Sequence, residues 1–185
     1  MKAKGYDRHM TSKALFLDRD GVLIEDTAYP FKRKDLVIRE SVLPLLKEAI
    51  RREYRLVILT NQSGIARGYF TEEQYFRFQD WMFREFRNRG IEFQGSYFCP
   101  YLEDAPLPEY RRKSEDRKPE PGMVYKAHRD LGIDPAESIM VGDKESDLIR
   151  LPGLRCFLIQ GKYPVESKEF LYTDEESIMR KLGWI

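Results

Sequence analysis

The chain has 185 residues, of which 42% are hydrophobic and 13% aromatic, enough to build one substantial core. Its 32 lysines and arginines nearly balance 31 aspartates and glutamates, and the net charge of +1 disfavours a nucleic-acid partner. No stretch approaches the roughly 18 apolar residues needed to cross a bilayer, and the polar start lacks the apolar segment of a signal peptide, so we expect a cytoplasmic protein without membrane association.

Residues 1–12 are polar and are predicted to form a leader whose order the sequence leaves open, and residues 13–185 a single domain. The domain begins with an apolar run at 14–17, a predicted strand that ends at Asp18, with a second acid at Asp20. Side chains two apart in a strand point to the same side, so the two carboxylates start from one face. Two interpretations stay open: a polar turn, or acids whose repulsion a metal ion or a shared proton offsets.

Helices and strands are predicted to alternate after this first strand. A helix with Ser41 as its N-cap and Pro44 in its first turn precedes the apolar strand of RLVILTNQSG, residues 55–64. The next helix opens with a capping box at Thr71 and stops at Gly90. Further elements follow: a strand within 91–100, a proline-containing loop at 99–121, a helix at 121–132, a strand at 138–143, a short helix at 144–153, a strand at 154–160 and a closing helix at 174–183.

This alternation predicts an α/β fold, a Rossmann-like three-layer sandwich with a central parallel sheet. The intervals between the predicted elements are too short for a large cap domain. Polar clusters follow three of the strands: DRDG after the first, TNQSG after the second and GDKESD after the fourth. Ligands of such sheets bind beyond the carboxyl ends of the strands, so we expect these acids, hydroxyls and lysine at one edge.

Four segments in chain order resemble the motifs of the haloacid dehalogenase superfamily of phosphohydrolases: FLDRDG, ILTNQSG with Thr60, DRKPEPGM with Lys118, and MVGDKESD. TNQSGIARGYF and RKPEPGM are similar to the branch that contains histidinol phosphatases and D,D-heptose 1,7-bisphosphate phosphatases. The resemblance implies a magnesium-dependent phosphomonoester hydrolase acting on a small phosphorylated metabolite, first of all a heptose bisphosphate. Histidinol phosphate, a nucleic-acid 3′-phosphate and a non-catalytic phosphate-binding module are the alternatives.

The resemblance also implies roles for single residues. Asp18 would be the nucleophile that forms an aspartyl-phosphate, and Asp20 the general acid and base. Thr60 would donate a hydrogen bond to the phosphate, and Lys118 would neutralise charge on Asp18 and on the transferring group. The expected magnesium ligands are Asp18, the backbone carbonyl of Asp20, and Asp143.

Substrate binding is predicted for Thr60, Asn61, Arg117 and Lys144. Arg117 and Lys144 flank the motif residues and are candidates to meet a substrate hydroxyl or a second phosphate, with a solvated surface cation as the alternative. Arg67 is equally open between substrate contact and the surface. Asp147 either supports Lys118 or a metal-bound water, or begins the following helix.

One departure from the branch lies in the loop before RKP, where relatives carry a zinc site built from a Cys-x-His pair and a Cys-x-Cys pair. The corresponding segments here read Cys99-Pro100-Tyr101 and Ser114-Glu115-Asp116. One thiolate cannot close a tetrahedral site, so we expect no zinc and a loop ordered by packing and prolines. Cys99 and Cys156 are predicted to be ordinary reduced thiols, and the protein to be a monomer whose partner is a small phosphate ester.

Overall fold

The computed structural model describes residues 12–185, and in this range six parallel strands form one sheet between two layers of helices. The strands are β1 (Ala14–Leu17), β2 (Arg55–Asn61), β3 (Gly95–Cys99), β4 (Ile139–Gly142), β5 (Arg155–Ile159) and β6 (Leu171–Tyr172), in the spatial order β3-β2-β1-β4-β5-β6. The predicted three-layer α/β fold is confirmed. The sequence did not predict β6, which is only two residues long.

The helices are α1 (Leu43–Arg51), α2 (Ser63–Ala66), α3 (Glu72–Arg87), α4 (Gly122–Leu131) and α5 (Glu175–Lys181). The capping box at Thr71 is confirmed. The Thr71 hydroxyl accepts from the Gln74 N–H, and the Gln74 side-chain oxygen accepts from the Thr71 N–H. The N-cap at Ser41 is wrong. A 3₁₀ turn at Glu40–Val42 precedes α1, and the Ser41 hydroxyl donates to Glu175 at the start of α5 instead.

Alternate residues of each strand serve the two helical layers. Leu15 and Leu17 of β1 belong to the larger core, which also contains the apolar faces of α1, α3 and α5. Ala14 and Phe16 point the other way, into a core that includes Met123, Val124 and Ala127 of α4. Side chains alternate across a strand, so a short continuous apolar run buries both faces of the sheet. The strand tips are therefore fixed from both sides.

The segment 144–153 departs from the prediction, because its helix is only a 3₁₀ turn at Glu145–Asp147. The Asp147 carboxylate folds back onto the N–H groups of Asp143 and Lys144, both at 3.0 Å. Leu148 then leaves helical geometry with a ψ of 74°. A side chain that satisfies the preceding backbone donors competes with helix propagation.

The loop 99–121 is ordered by packing and by arginine. Leu102 and Ala105 pack against Ala66 of α2. The Arg111 guanidinium donates to the carbonyls of Ala105 at 2.6 Å and Pro106 at 3.1 Å. Packing contacts were expected for this loop, whereas the bonds from Arg111 were not, and the absence of zinc stays a prediction.

The predicted leader, residues 1–12, lies outside the described range except for its last residue, Ser12. Ser12 already belongs to the folded domain, because its N–H donates to the Gly132 carbonyl at 3.0 Å and its carbonyl accepts from Asp134 at 2.8 Å. In the described part of the chain, none of the helices has the length and apolar character needed to span a bilayer.

Candidate active site

Lys118 and Asp18 form the centre of a buried ionic cluster at the carboxyl edge of the sheet. Asp18 directly follows β1, and its Oδ1 accepts from Lys118 Nζ at 2.8 Å. Nζ also lies 2.7 Å from the Leu59 carbonyl and 2.6 Å from Asp147 Oδ1. Burial alone lowers the pKa of Lys118, but the attraction of Asp147 and Asp18 outweighs it and holds the pKa above its ordinary value. The lysine therefore stays charged.

Asn61, the last residue of β2, clamps the backbone of Lys118. Its Oδ1 accepts from the Lys118 N–H at 3.1 Å, and its Nδ2 donates to the Lys118 carbonyl at 3.0 Å. Both ends of the amide are used in this way, although Asn61 also lines the cavity described below. The structure therefore gives Asn61 a holding contact, and its predicted substrate contact stays a prediction.

Asp18, Asp143 and Asp147 form the metal-capable acidic group of residues 12–185, with one carboxylate oxygen from each within 4.8 Å of the others. Both Asp143 oxygens are buried and lack a hydrogen-bond partner within the described range. Burial, reinforced by the charge of Asp18, raises the pKa of Asp143 to about 8. Hard carboxylate oxygens that the protein leaves unpartnered fit a divalent cation such as magnesium.

The side chain of Asp147 contacts three parts of the site. It pairs with Lys118, accepts the two backbone N–H groups that begin the turn, and belongs to the acidic group. Burial raises its pKa above the ordinary value, while Lys118 opposes the shift. Support of Lys118 and the start of the turn, which the sequence offered as alternatives, are therefore both present.

Asp20 is not a member of that acidic group and belongs to a network with Arg19 and Gln62. Arg19 is fully buried and donates through Nε and Nη2 to the two Asp20 oxygens, at 2.8 and 2.9 Å. Gln62 Nε2 donates to Asp20 Oδ2 at 3.0 Å and to Thr60 Oγ1 at 2.9 Å. The network joins the predicted acid and base to the predicted phosphate-binding threonine. The predicted metal contact through the Asp20 carbonyl stays a prediction.

A cavity of about 220 Å³ opens over these groups and is lined by Asp18, Asp20, Asn61, Gln62, Arg117, Lys118 and Lys144, among others. Lys144 Nζ lies 3.1 Å from Asp26 Oδ2 and 4.7 Å above the ring of Tyr163. Arg117 donates to the Tyr101 carbonyl at 3.2 Å. Arg67 and Thr60 are not among the lining residues. Thr60 is buried and adjoins the lining through Gln62, so its predicted phosphate contact stays a prediction. A larger, more apolar groove of about 650 Å³ beside β5 contains none of the clustered acids.

The sequence of the chain is similar to those of named phosphatases. The HAD-hydrolase-like family model matches residues 116–150. The D-glycero-beta-D-manno-heptose-1,7-bisphosphate 7-phosphatase of Vibrio cholerae is 39% identical over 168 residues, which cover 89% of this chain and 90% of that protein. The alpha-anomer 7-phosphatase of Burkholderia mallei is 41% identical over 139 residues, 75% of this chain and 74% of that protein. The chain belongs to the HAD-like phosphatases.

Solved structures agree with this membership. A Mesorhizobium loti protein described as HAD-like phosphatase superposes with a TM-score of 0.82 at 31% identity, over 100% of this chain and 90% of that one. The D,D-heptose 1,7-bisphosphate phosphatase of B. bronchiseptica, complexed with magnesium and phosphate, gives a TM-score of 0.73 at 25% identity, over 92% and 97% of the two chains. The fold of this HAD-like phosphatase is thus matched over nearly its whole length.

Sequence reasoning missed several residues of this HAD-like phosphatase site: Arg19, Gln62, Asp26 and Tyr163. Arg19 and Gln62 stand inside the motifs DRDG and TNQSG, so their polarity beside buried strands was the available signal. Asp26 and Tyr163 lie far apart in the chain and come together at Lys144 only in the folded structure. No local pattern in the sequence marked them.

Proposed function

We propose that this protein is a magnesium-dependent phosphatase that removes the 7-phosphate of D-glycero-D-manno-heptose 1,7-bisphosphate through an aspartyl-phosphate. The observation that carries the proposal is the buried Asp18–Lys118 pair beside the unpartnered Asp143 carboxylate. The cavity over this pair is lined by acids and by the cations Arg117, Lys118 and Lys144. The relatives named as heptose-bisphosphate 7-phosphatases supply the sugar. Histidinol phosphate and 3′-phosphorylated nucleic acid gain no comparable support.

The first half of the reaction is a transfer of the phosphoryl group to Asp18. A carboxylate oxygen of Asp18 attacks phosphorus while the bond from phosphorus to the sugar oxygen breaks. Lys118 lies 2.8 Å from Asp18, where its charge offsets negative charge on the attacking group and on the phosphoryl oxygens. Thr60 donates to one of these oxygens. The leaving sugar oxygen takes its proton from Asp20.

The second half is hydrolysis of the aspartyl-phosphate. Asp20, now deprotonated, accepts a proton from a water molecule, whose oxygen attacks phosphorus. The bond between phosphorus and the Asp18 oxygen breaks, so that inorganic phosphate leaves and the carboxylate is restored. Arg19 holds the Asp20 carboxylate by two bonds, which keeps it at the edge of the cavity between its two uses.

Asp18, Asp143 and Asp147 are the side chains that would hold magnesium. When bound, the ion supplies positive charge next to the phosphoryl oxygens and lowers the repulsion between phosphate and carboxylate. Arg117 and Lys144 line the same cavity and are assigned to the sugar hydroxyls or the second phosphate. One chain supplies every group of this site, so we propose a monomer. We also propose that it acts in the cytoplasm.

A competition between substrates tests the proposal. Phosphate release is measured with both anomers of the heptose bisphosphate, histidinol phosphate and a 3′-phosphorylated oligonucleotide, in magnesium and in EDTA. We expect kcat/KM for a heptose bisphosphate to exceed the others by more than about tenfold, and turnover to vanish in EDTA. A higher kcat/KM for histidinol phosphate or the oligonucleotide would contradict the assignment.

The matched controls are Asp18→Asn and Asp20→Asn. Each should lower kcat by at least about a hundredfold, the lower range of what a general acid contributes. This loss excludes a contaminating phosphatase. Wild-type kcat in Asp18→Asn would rule out the covalent route.

A further inference from the structure

Gln62 occupies a buried position between three groups of the site. It is 3% exposed, and its carboxamide contacts Arg19, Asp20 and Thr60. Its oxygen accepts from Arg19 Nη2 at 3.1 Å, while its nitrogen uses one hydrogen on Asp20 and the other on Thr60. All the hydrogen-bonding capacity of the NH₂ group is therefore committed.

Arg19 and Asp20 together permit one orientation of this carboxamide. If the amide were rotated by 180°, its oxygen would face the Asp20 carboxylate and its NH₂ group would face the guanidinium. Two acceptors would then oppose each other, and so would two donors, in a buried setting where unpaired polar groups are costly. The neighbouring ion pair thus fixes the direction in which Gln62 donates.

The consequence falls on Thr60. Its hydroxyl oxygen accepts from Gln62 at 2.9 Å, and within residues 12–185 no hydrogen bond has this hydroxyl as its donor. A threonine hydroxyl has a single proton, which the contact with Gln62 cannot use. Phosphoryl oxygens only accept hydrogen bonds, so a threonine that serves them must donate.

We propose that Gln62 is a positioning residue that sets the Thr60 hydroxyl as a donor toward the transferred phosphoryl group. The inference rests on the proposed phosphoryl transfer, but not on the identity of the sugar. Without Gln62 no side-chain donor fixes the rotation of this hydroxyl, so its proton spends part of its time away from the phosphoryl group. Asp20 loses its bond from Gln62 but keeps both bonds from Arg19, and the double-mutant cycle below separates this loss from the one that passes through Thr60.

The test uses Gln62→Met, which keeps the length and volume of the side chain and removes its hydrogen bonds. With p-nitrophenyl phosphate and magnesium, we expect kcat to fall by about 10- to 100-fold with KM changed by less than about threefold, since an oriented donor acts mainly in the transition state. The inhibition constant for orthovanadate, which mimics that state, should rise by a similar factor. Gln79→Met is the control, because it makes the same substitution at a glutamine that accepts hydrogen bonds from Tyr75 and Ser96 and does not line the cavity.

A double-mutant cycle with Thr60→Val separates positioning from a general loss of structure. In the Thr60→Val background, Gln62→Met should lower kcat by less than about threefold, because its effect has no hydroxyl left to act through. An equal loss in both backgrounds, or an unchanged kcat in the single variant, would overturn the inference. A wild-type protein that hydrolyses p-nitrophenyl phosphate but no heptose bisphosphate would refute the proposed substrate and leave this test intact.

Thermal melting shows whether each variant is folded. If Gln62→Met does not melt cooperatively, Gln62→Asn replaces it, since its shorter amide cannot span from Asp20 to Thr60. The same loss of kcat and the same dependence on Thr60 are then expected. Full activity in Gln62→Asn would overturn the inference.

Discussion

Lys118 Nζ lies 2.8 Å from Asp18 Oδ1, although 100 residues separate the two in the chain. Both side chains are buried, and Asp147 contacts the same ammonium group. One cation therefore balances two carboxylates in a place where water cannot screen them. This arrangement ties the stability of the sheet edge to the chemistry of the site.

Replacement of Lys118 by methionine should damage stability as well as turnover. It leaves Asp18 and Asp147 buried without their cation, and breaking a buried pair in this way costs about 3–5 kcal/mol. Urea unfolding of the metal-free protein measures this cost. Lys126→Met is the control, because Lys126 pairs with Asp116 at the surface, where about 0–1 kcal/mol is expected. Equal destabilisation by the two variants would show that the buried cluster contributes nothing special.

The metal-free protein should lose stability as the pH rises from about 4 to 8. The pKa of Asp143 is raised from 3.8 to about 8 in the folded state, so the folded form retains a proton that the unfolded form has released. The contribution of Asp143 is complete below the unfolded pKa and declines above it, by at most about 1.4 kcal/mol per pH unit. Asp143→Asn should flatten the dependence of the unfolding free energy on pH.

Magnesium should reverse this trend, because only the ionised carboxylates bind the cation. The rise in melting temperature on adding magnesium should be larger at pH 8 than at pH 6. Asp143→Asn should show a small rise at both pH values. A rise in the wild type that is independent of pH would contradict the assignment of Asp143 to the cation.

Gly21→Ala should disable the site through Asp143. Gly21 has a φ of +90°, and a Cβ at this position would meet the Asp143 carboxylate, 2.6 Å from its Cγ. Gly90→Ala is the matched control, since Gly90 has a similar φ of +75° but open space around it. Both variants carry the backbone strain of about 1–2 kcal/mol, but only Gly21→Ala should weaken magnesium affinity, measured by calorimetry. Equal affinity in the two variants would show that Asp143 is not displaced.

Chelation of zinc should change neither folding nor turnover. The loop 99–121 retains Cys99 as its single cysteine, and its order comes from packing and from Arg111 bound to the carbonyls of Ala105 and Pro106. Elemental analysis, followed by melting temperature and kcat after chelation and magnesium addition, tests this expectation. Stoichiometric zinc, or a melting temperature that only zinc restores, would contradict it. Arg111→Met should instead lower the melting temperature.

The sequence by itself determined the order of β1 to β5 and of the helices α1, α3, α4 and α5, together with the motif residues at the strand ends. The apolar run at 14–17 predicts a buried strand from local composition alone. Asp18 follows this strand directly in the sequence, so its place at the strand end needs no tertiary information. Thr71 caps α3 because its partner Gln74 is three residues away. Such signals depend on neighbours along the chain, which the sequence states directly.

Only the tertiary structure decided which of these residues contact one another. Asn61 holds the backbone of Lys118, a contact that the sequence did not indicate, and its predicted substrate contact stays a prediction. Asp147 belongs with the metal-capable acids as well as with the turn. The predicted short helix after β4 is only a 3₁₀ turn, because the Asp147 carboxylate accepts from the N–H groups of Asp143 and Lys144. The orientation of the Gln62 side chain is set by a hydrogen bond from Arg19, which is 43 residues away in the sequence. These outcomes depend on distances of a few ångströms between separate strands, which packing of the sheet sets and local sequence patterns do not encode.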